Sequence, residues 1–263
     1  MSSDFEVVIH PTALVEKGAE IGVGCQIGPY SIVGPHVQVG DHVQIDSHAI
    51  IKGRTKIGAK SRIWPFASIG TEPQDLKYKG EDSELVCGER NMFREYVNIS
   101  LGTEGGGGTT SIGNNNLLMV NAHVAHDCII GNNCIFANGV SLAGHVIVGD
   151  GAVIGGHAAV HQFVKIGTLA MLAGGAILVQ DALPFCTFHG NHASPVGINL
   201  LGLKRAGKSK DLIRNIKSMY KILFQGSLSL EEATRVINAD IPDSSEKRQL
   251  LEFLLNGERG LCR

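Results

Sequence analysis

Three short stretches hold most of the side chains that could do chemistry: NAHVAHDC (121–128), LAGHV (142–146) and VHQFV (160–164). The chain has 11 histidines, more than a structural role requires. Counting by 18 aligns His126 with Gly144 and Gln162, Asp127 with His145 and Phe163, and Ala125 with Ala143 and His161. Imidazole titrates near neutrality and can take a proton from a hydroxyl. A carboxylate such as Asp127 can hold the ring and stabilise its charged form. A backbone N–H at Gly144 can stabilise an oxyanion, because glycine lets a substrate approach closely. Base plus oxyanion donor is the minimum for acyl transfer to a hydroxyl. The same residues leave three other uses open: histidines satisfied in a core, a solvated polar turn face, or a zinc site shared between chains.

A count of 18 has meaning only on a scaffold with that repeat, and the sequence carries one. Every sixth residue from Ile9 to Ile69 is Ile or Val: Ile9, Val15, Ile21, Ile27, Val33, Val39, Ile45, Ile51, Ile57, Ile63 and Ile69. The residue four places after each is small or Val, as in Ala13, Ala19, Cys25, Ser31 and Ala49. The frame returns at Cys87, Phe93 and Ile99, and runs again from Ile112 to Leu178. A period of six fits neither a helix nor a strand of ordinary length. It fits a short strand plus a turn, with β-branched residues in the strand and Gly, Asn or Asp in the turn. Stacked coils then put each large aliphatic above the last, with the small residue in the narrow corner. This is the hexapeptide signature of a parallel β-helix. The histidine, aspartate and glycine positions fall on neither inward step, so they face outward as one patch across three coils.

Composition agrees. Glycine is 34 of 263 residues and aromatics are 5%, as expected of many tight turns. Lys plus Arg (23) against Asp plus Glu (25) argues against a nucleic-acid binder, which needs a basic surface. No apolar run approaches the ~20 residues of a membrane span. The start, MSSDFEVVIHP, shows no secretory signal. Six cysteines are scattered without a CxxC, which disfavours a disulfide-stapled fold or a zinc ribbon. Cys128 and Cys134 fall on small-residue steps and read as core. A reduced, cytoplasmic protein fits best.

Two segments break the period and read as loops: TEPQDLKYKGEDSE (71–84), after which the frame survives, and TEGGGGTTS (103–111), which shifts it by one. The glycine run is no phosphate cradle, since no GK[ST] follows, and it reads as a flexible surface loop. Beyond Pro184 the pattern turns helical. Leu212, Ile213, Ile216, Met219, Tyr220 and Leu223 share one helical face, Ser229 with Glu232 forms a capping box, and a third helix follows Ser244. The expected architecture is mainly β with a helical tail: a β-helix over residues 1–190 and a C-terminal helical domain over 191–263.

QDLKYKG (74–80), NLLMVNAHVAHDC (116–128), LAGH (142–145), VHQF (160–163) and GNHASPVGINLLGLKR (190–205) resemble the UDP-N-acetylglucosamine O-acyltransferase family of hexapeptide-repeat acyltransferases. The resemblance covers nearly the whole chain. It implies a left-handed winding of three hexads per coil, which the spacing alone does not set. It also implies a cytoplasmic homotrimer, with clefts between subunits, that moves an (R)-3-hydroxyacyl group from acyl carrier protein to the 3-hydroxyl of UDP-GlcNAc. That is the first step of lipid A biosynthesis, and it uses no metal or other cofactor. Carried over by motif, His126 is the general base, Asp127 its hydrogen-bonding partner and Gly144 the oxyanion donor. Asp75, Lys77, His123, His161 and Gln162 line the sugar and phosphate site, and His145 the acyl-carrier side. Asn199 and Arg205 hold the nucleotide. Gly174 matches the position that measures the acyl chain, where glycine leaves room for a long one, and His192 stands near its end.

Three positions depart from the family pattern. NISLGT (98–103) carries Ser100 where TIHRGT has histidine, Leu201 stands where an acidic residue precedes GLKR, and Ala206 replaces a second arginine. Each loses a nucleotide contact, which raises a 3-amino analogue of UDP-GlcNAc as an alternative acceptor. The tail also carries Lys204, Arg205, Lys208, Lys210, Arg214, Lys217 and Lys221 against Asp211, a basic face suited to an acidic carrier protein. The competing assignments are another hexapeptide transferase using acyl-CoA, a zinc carbonic anhydrase and a non-catalytic solenoid.

Overall fold

The computed structural model describes residues 6–257 and 259–263. Residues 1–5, part of the segment read above for a secretory signal, lie outside it. From Val8 to Leu178 the chain is a succession of strands of two to four residues joined by turns. Consecutive strands visit a first, a second and a third sheet in rotation, giving stacks of 11, 9 and 8 strands. Pairing within the coiled region is parallel. Ile9 faces Ile27, Val15 faces Val33 and Ile21 faces Val39, each 18 residues on. The backbone explains the period: one coil of three hexads places every N–H and C=O against the coil above or below, about 4.8 Å away.

The offset changes twice. It becomes 30 where Ile57, Ile63 and Ile69 face Cys87, Phe93 and Ile99. It becomes 25 where those three face Ile112, Leu118 and Val124. Both additions enter at one corner, between the second and third sheets, within residues 72–83 and 101–108. Ile69 and Cys87 are 18 apart in sequence, yet they sit on adjacent sides of one coil, because the first addition is itself a multiple of six. The next coil at that same corner holds His126 and Asp127. Two successive coils therefore swell directly beneath the histidine patch.

The six-residue columns are the core. Ile63, Phe93, Leu118, Phe136 and Ile154 are 0% exposed in one column, and Ala49, Ala67, Ala122 and Ala158 fill the narrow corners. Each buried large side chain contributes about 1.5–3 kcal/mol. Ile9, read from the sequence as inward, is 44% exposed, since no described coil stacks beneath it. Corner residues take left-handed backbone angles, among them Asp127 (φ 59°), His145 (φ 63°) and Phe163 (φ 65°). Asp and His tolerate that region better than most residues. The turn geometry that the scaffold demands thus favours residue types that also do chemistry.

The last coil is closed by an antiparallel hairpin, Cys186–His189 with Ser194–Ile198. The start of the tail, expected to be helical, is therefore strand. Four helices follow: α1 (Leu200–Arg205), α2 (Lys210–Phe224), α3 (Leu230–Asp240) and α4 (Ser245–Leu255). Ser209 and Ser244 cap α2 and α4, and Ser229 with Glu232 forms the expected capping box on α3. Helix α2 buries Ile216, Met219, Tyr220 and Leu223, and the Tyr220 hydroxyl donates to Pro195 O at 3.3 Å. Gln249 Nε2 on α4 donates to Thr168 Oγ1 at 2.6 Å. The tail thus packs on the end of its own β-helix.

Candidate active site

At the corner between the second and third sheets, His126 Nδ1 lies 2.7 Å from Asp127 Oδ2. The Asp127 side chain is 1% exposed and that of His126 14%. A buried carboxylate needs donors, and Asp127 has several. The Thr103 N–H donates to Oδ1 at 2.8 Å, and the Thr103 hydroxyl to Oδ2 at 2.6 Å. The Asp127 N–H donates to Thr110 Oγ1. An ionised carboxylate at Asp127 would only accept, which calls for the Nδ1–H tautomer of His126 and leaves the Nε2 lone pair available.

One coil up, Gly144 packs against the His126 ring. A Cβ at Gly144 would stand 2.6 Å from Cε1 and 2.7 Å from Nε2. Gly144 is buried, and among the described residues its N–H meets no acceptor. Buried amides are seldom left unpaired, and this one sits beside the candidate base. His145 meets His126 edge-on, with centroids 5.0 Å apart, and stacks on Phe163 at 4.3 Å. Its Nδ1 is 3.8 Å from Asp127 Oδ2, too far for a hydrogen bond. Burial lowers the His145 pKa, Asp127 opposes that, and His126 adds to it. Burial, and then the neighbouring His126, also hold His123 below the ordinary histidine range. His123 Nδ1 contacts Asn98 Oδ1 at 2.7 Å.

Residues 72–83 form one wall of a groove of about 540 Å³ whose lining includes Asp75, Lys77, Thr103, Glu104, His145 and Phe163. Asp75 Oδ1 accepts from the Lys77 N–H at 2.9 Å, which shapes that wall. A larger groove of about 700 Å³, lower on the same edge, is lined by Glu20, Arg54, Lys56 and Glu84 among others and holds none of this cluster. His161 and Gln162 lie exposed in the next coil, with Arg259 Nη2 3.2 Å from His161 Nδ1. Ligand atoms of His126, Asp127 and His145 lie within 4.8 Å of one another, close enough for a metal ion. Both Asp127 oxygens already accept hydrogen bonds from Thr103 and His126, and His145 is held by its stack on Phe163.

The remaining candidates stand elsewhere. Gly174 and His192 are exposed near the corner between the first and second sheets, where the turn at 190–193 is tied to Ile177. Asn199 is buried, accepts the Gly202 N–H as the cap of α1, and donates to Leu169 O. Arg205 is exposed in the last turn of α1. Ser100 is buried, its hydroxyl without a partner among the described residues, Leu201 is 57% exposed, and Ala206 closes α1. Lys208, counted with the basic face, pairs with Glu246 at 2.7 Å. Cys128 and Cys134 are core residues, with thiol pKa values pushed up to about 12 by burial.

The comparisons with known proteins point one way. A family model described as bacterial transferase hexapeptide repeats matches residues 36–71 and 109–144, and one described as UDP N-acetylglucosamine O-acyltransferase, domain 2, matches 181–262. The acyl-[acyl-carrier-protein]–UDP-N-acetylglucosamine O-acyltransferase of Myxococcus xanthus is 50% identical over 97% of this chain and 99% of its own. The chain belongs to the UDP-N-acetylglucosamine O-acyltransferase family. The solved member from Moraxella catarrhalis superposes with a TM-score of 0.95 at 42% identity, covering 97% of this chain and 99% of that one. The one from Arabidopsis gives 0.84 at 32%, covering 97% and 100%. As the family resemblance implied, this acyltransferase is a left-handed β-helix with a helical tail.

The sequence missed three members of the site. Thr103 was read as the edge of a loop, although the odd insertion just before the histidine coil marked it. Asn98 lies 25 residues before its partner His123, an offset visible only once the insertion is placed. Phe163 appeared in the count by 18, but its ring stack with His145 could not be read from spacing.

Proposed function

We propose that this chain transfers an (R)-3-hydroxyacyl group from acyl carrier protein to the 3-hydroxyl of UDP-GlcNAc, the first step of lipid A biosynthesis, with His126 as general base. The observation that carries the base is the Asp127–His126 pair beside the Gly144 N–H, with neither His126 Nε2 nor that N–H partnered among the described residues. His126 Nε2 takes the proton of the sugar hydroxyl, and the oxygen attacks the thioester carbonyl. The Gly144 N–H meets the oxyanion. When the intermediate collapses, the new C–O bond stays, the C–S bond breaks, and the carrier thiolate takes the proton from His126. Asp127 holds the ring tautomer and balances the transient imidazolium.

Asp75 and Lys77 face the same groove and, with His123, His161 and Gln162, suit a sugar diphosphate. His145, whose pKa burial lowers, stands on the carrier side. Between the corner of His126 and that of Gly174, the second sheet presents His123, Ser141, Ala159 and Ile177 outward. Small side chains at Ser141 and Ala159 leave a path for an acyl chain toward Gly174. Gly174 lies two coils above the coil of Gly144, about 10 Å along the axis, and His192 stands at the far end. Asn199 and Arg205 meet the nucleotide from the tail, although Asn199 already serves as a cap, so its contact would come through remaining capacity on its amide. The exposed bases of α1 and α2 receive the acidic carrier. The protein works as a cytoplasmic homotrimer without a metal, residues 1–190 forming the catalytic unit and 191–263 the tail. No described helix is long and apolar enough to cross a membrane.

The test is acyl transfer measured with 3-hydroxyacyl carrier protein and with the corresponding acyl-CoA, on UDP-GlcNAc. Turnover with the carrier-protein donor is expected to dominate. Preference for CoA would move the chain to a different hexapeptide transferase activity.

A further inference from the structure

We infer that Thr103 is a positioning residue for the reaction: the seven-residue insertion exists at this corner to clamp the Asp127 carboxylate in the orientation His126 needs. The inference rests on His126 being the base and adds what sets its partner.

Thr103 is 6% exposed and stands where the chain leaves the coil. Among the described residues it makes two of the three hydrogen bonds to the Asp127 oxygens, its N–H to Oδ1 and its hydroxyl to Oδ2. The loop then folds back on Thr103, whose carbonyl accepts from the N–H groups of Gly106 (3.0 Å) and Gly108 (2.8 Å). The glycine run fits this use. Gly107 and Gly108 have φ of +95° and +81°, which other residues rarely adopt. Gly106 has no such angle, but a Cβ there would stand 2.0 Å from the Asp127 carboxylate carbon. The segment read from the sequence as a flexible surface loop is thus a short 3₁₀ turn, Glu104–Gly106, pressed against a buried catalytic carboxylate. A merely structural turn needs neither a bare Cα against the carboxylate nor both Thr103 donors aimed at it.

The hydroxyl shares Oδ2 with His126. Without it, Oδ2 keeps one donor, holds the imidazolium proton more tightly, and the base stays protonated to higher pH. The other titratable groups around the pair are His123 on the adjacent strand, His145 in the coil above, Asp75, Lys77, Tyr78, Lys79 and Glu81 on the facing wall, Glu104 on the turn itself and the buried Cys128 next in the chain. All of them are retained when only Thr103 is changed.

The experiment compares Thr103→Val, Thr103→Ser, Gly106→Ala and His126→Ala by kcat, KM for both substrates and the pH profile of kcat/KM. Thr103→Val is expected to lower kcat about tenfold with KM within about twofold, the scale of one hydrogen bond to a charged group, and to move the acid limb to higher pH. Thr103→Ser is expected to restore both, because it keeps the hydroxyl. Should Thr103→Val fail to fold, Gly106→Ala carries the test with the same expected fall in kcat. Wild-type kcat and pH profile in Thr103→Val, a serine variant as impaired as valine, or a normal Gly106→Ala would each overturn the assignment. If His126→Ala retains full activity, the base itself is wrong. If His126→Ala is dead while Thr103→Val is normal, only the role of Thr103 falls.

Discussion

Gly144→Ala adds one carbon against the ring of the candidate base and changes nothing else. The φ of Gly144 is not in the left-handed region, so alanine costs little backbone strain. The new Cβ would lie 2.6 Å, 2.7 Å and 3.1 Å from Cε1, Nε2 and Nδ1 of His126, where ordinary contact begins at 3.4 Å. The ring must retreat by at least about 0.8 Å. That retreat must stretch or tilt the 2.7 Å bond from Nδ1 to Asp127. A misplacement near 1 Å costs on the order of 10²-fold in rate, or about 2.7 kcal/mol of barrier. The assay is steady-state acyl transfer from hydroxyacyl carrier protein to UDP-GlcNAc, alongside a thermal melt. The expected result is kcat down about 100-fold with the melt nearly unchanged, since the core columns are untouched. A variant with kcat within about threefold of wild type would show that the ring position does not govern the reaction.

Three further outcomes follow from the same structure. His123 and His145 have folded pKa values below the ordinary 6.5, so below that pH the unfolded chain binds more protons and stability rises with pH. The melting temperature should therefore fall as pH drops below about 6.5, with a shallower slope in His123→Gln; a flat profile would contradict the burial effect. Acyl transfer should slow with ionic strength, because Lys204, Arg205, Lys210, Arg214, Lys217 and Lys221 are exposed on α1 and α2 and screening shortens their reach; an insensitive rate would remove electrostatic docking of the carrier. UDP-GlcNAc should be turned over faster than its 3-amino analogue, since a neutral hydroxyl is what needs the base; the reverse order would show that Ser100, Leu201 and Ala206 mark a different acceptor.

The β-helix was legible because its rule is one-dimensional. A six-residue step fixes what faces inward, and the buried columns from Ile27 to Leu178 follow it. The patch of His126, Asp127, Gly144 and His145 was legible for the same reason, since no insertion lies among their coils. Counting failed across residues 72–83, where an addition divisible by six leaves the frame looking intact while moving Cys87 above Ile57. Asn98 and Thr103 were hidden by the second addition, at residues 101–108, because their partners lie 25 and 24 residues away instead of 18. The strand at Ser194–Ile198 escaped because SPVGI has neither a six-residue step nor an alternation. The burial of Asp127 escaped because an outward position is covered only when a loop folds over it.

The most direct measurement is the turnover of His126→Ala with UDP-GlcNAc and hydroxyacyl carrier protein, beside a melt showing the β-helix intact. A loss of at least about 10²-fold, the scale of a general base, is the predicted result. Activity near that of wild type would contradict it, and would leave the Asp127–His126 pair without a part in the chemistry.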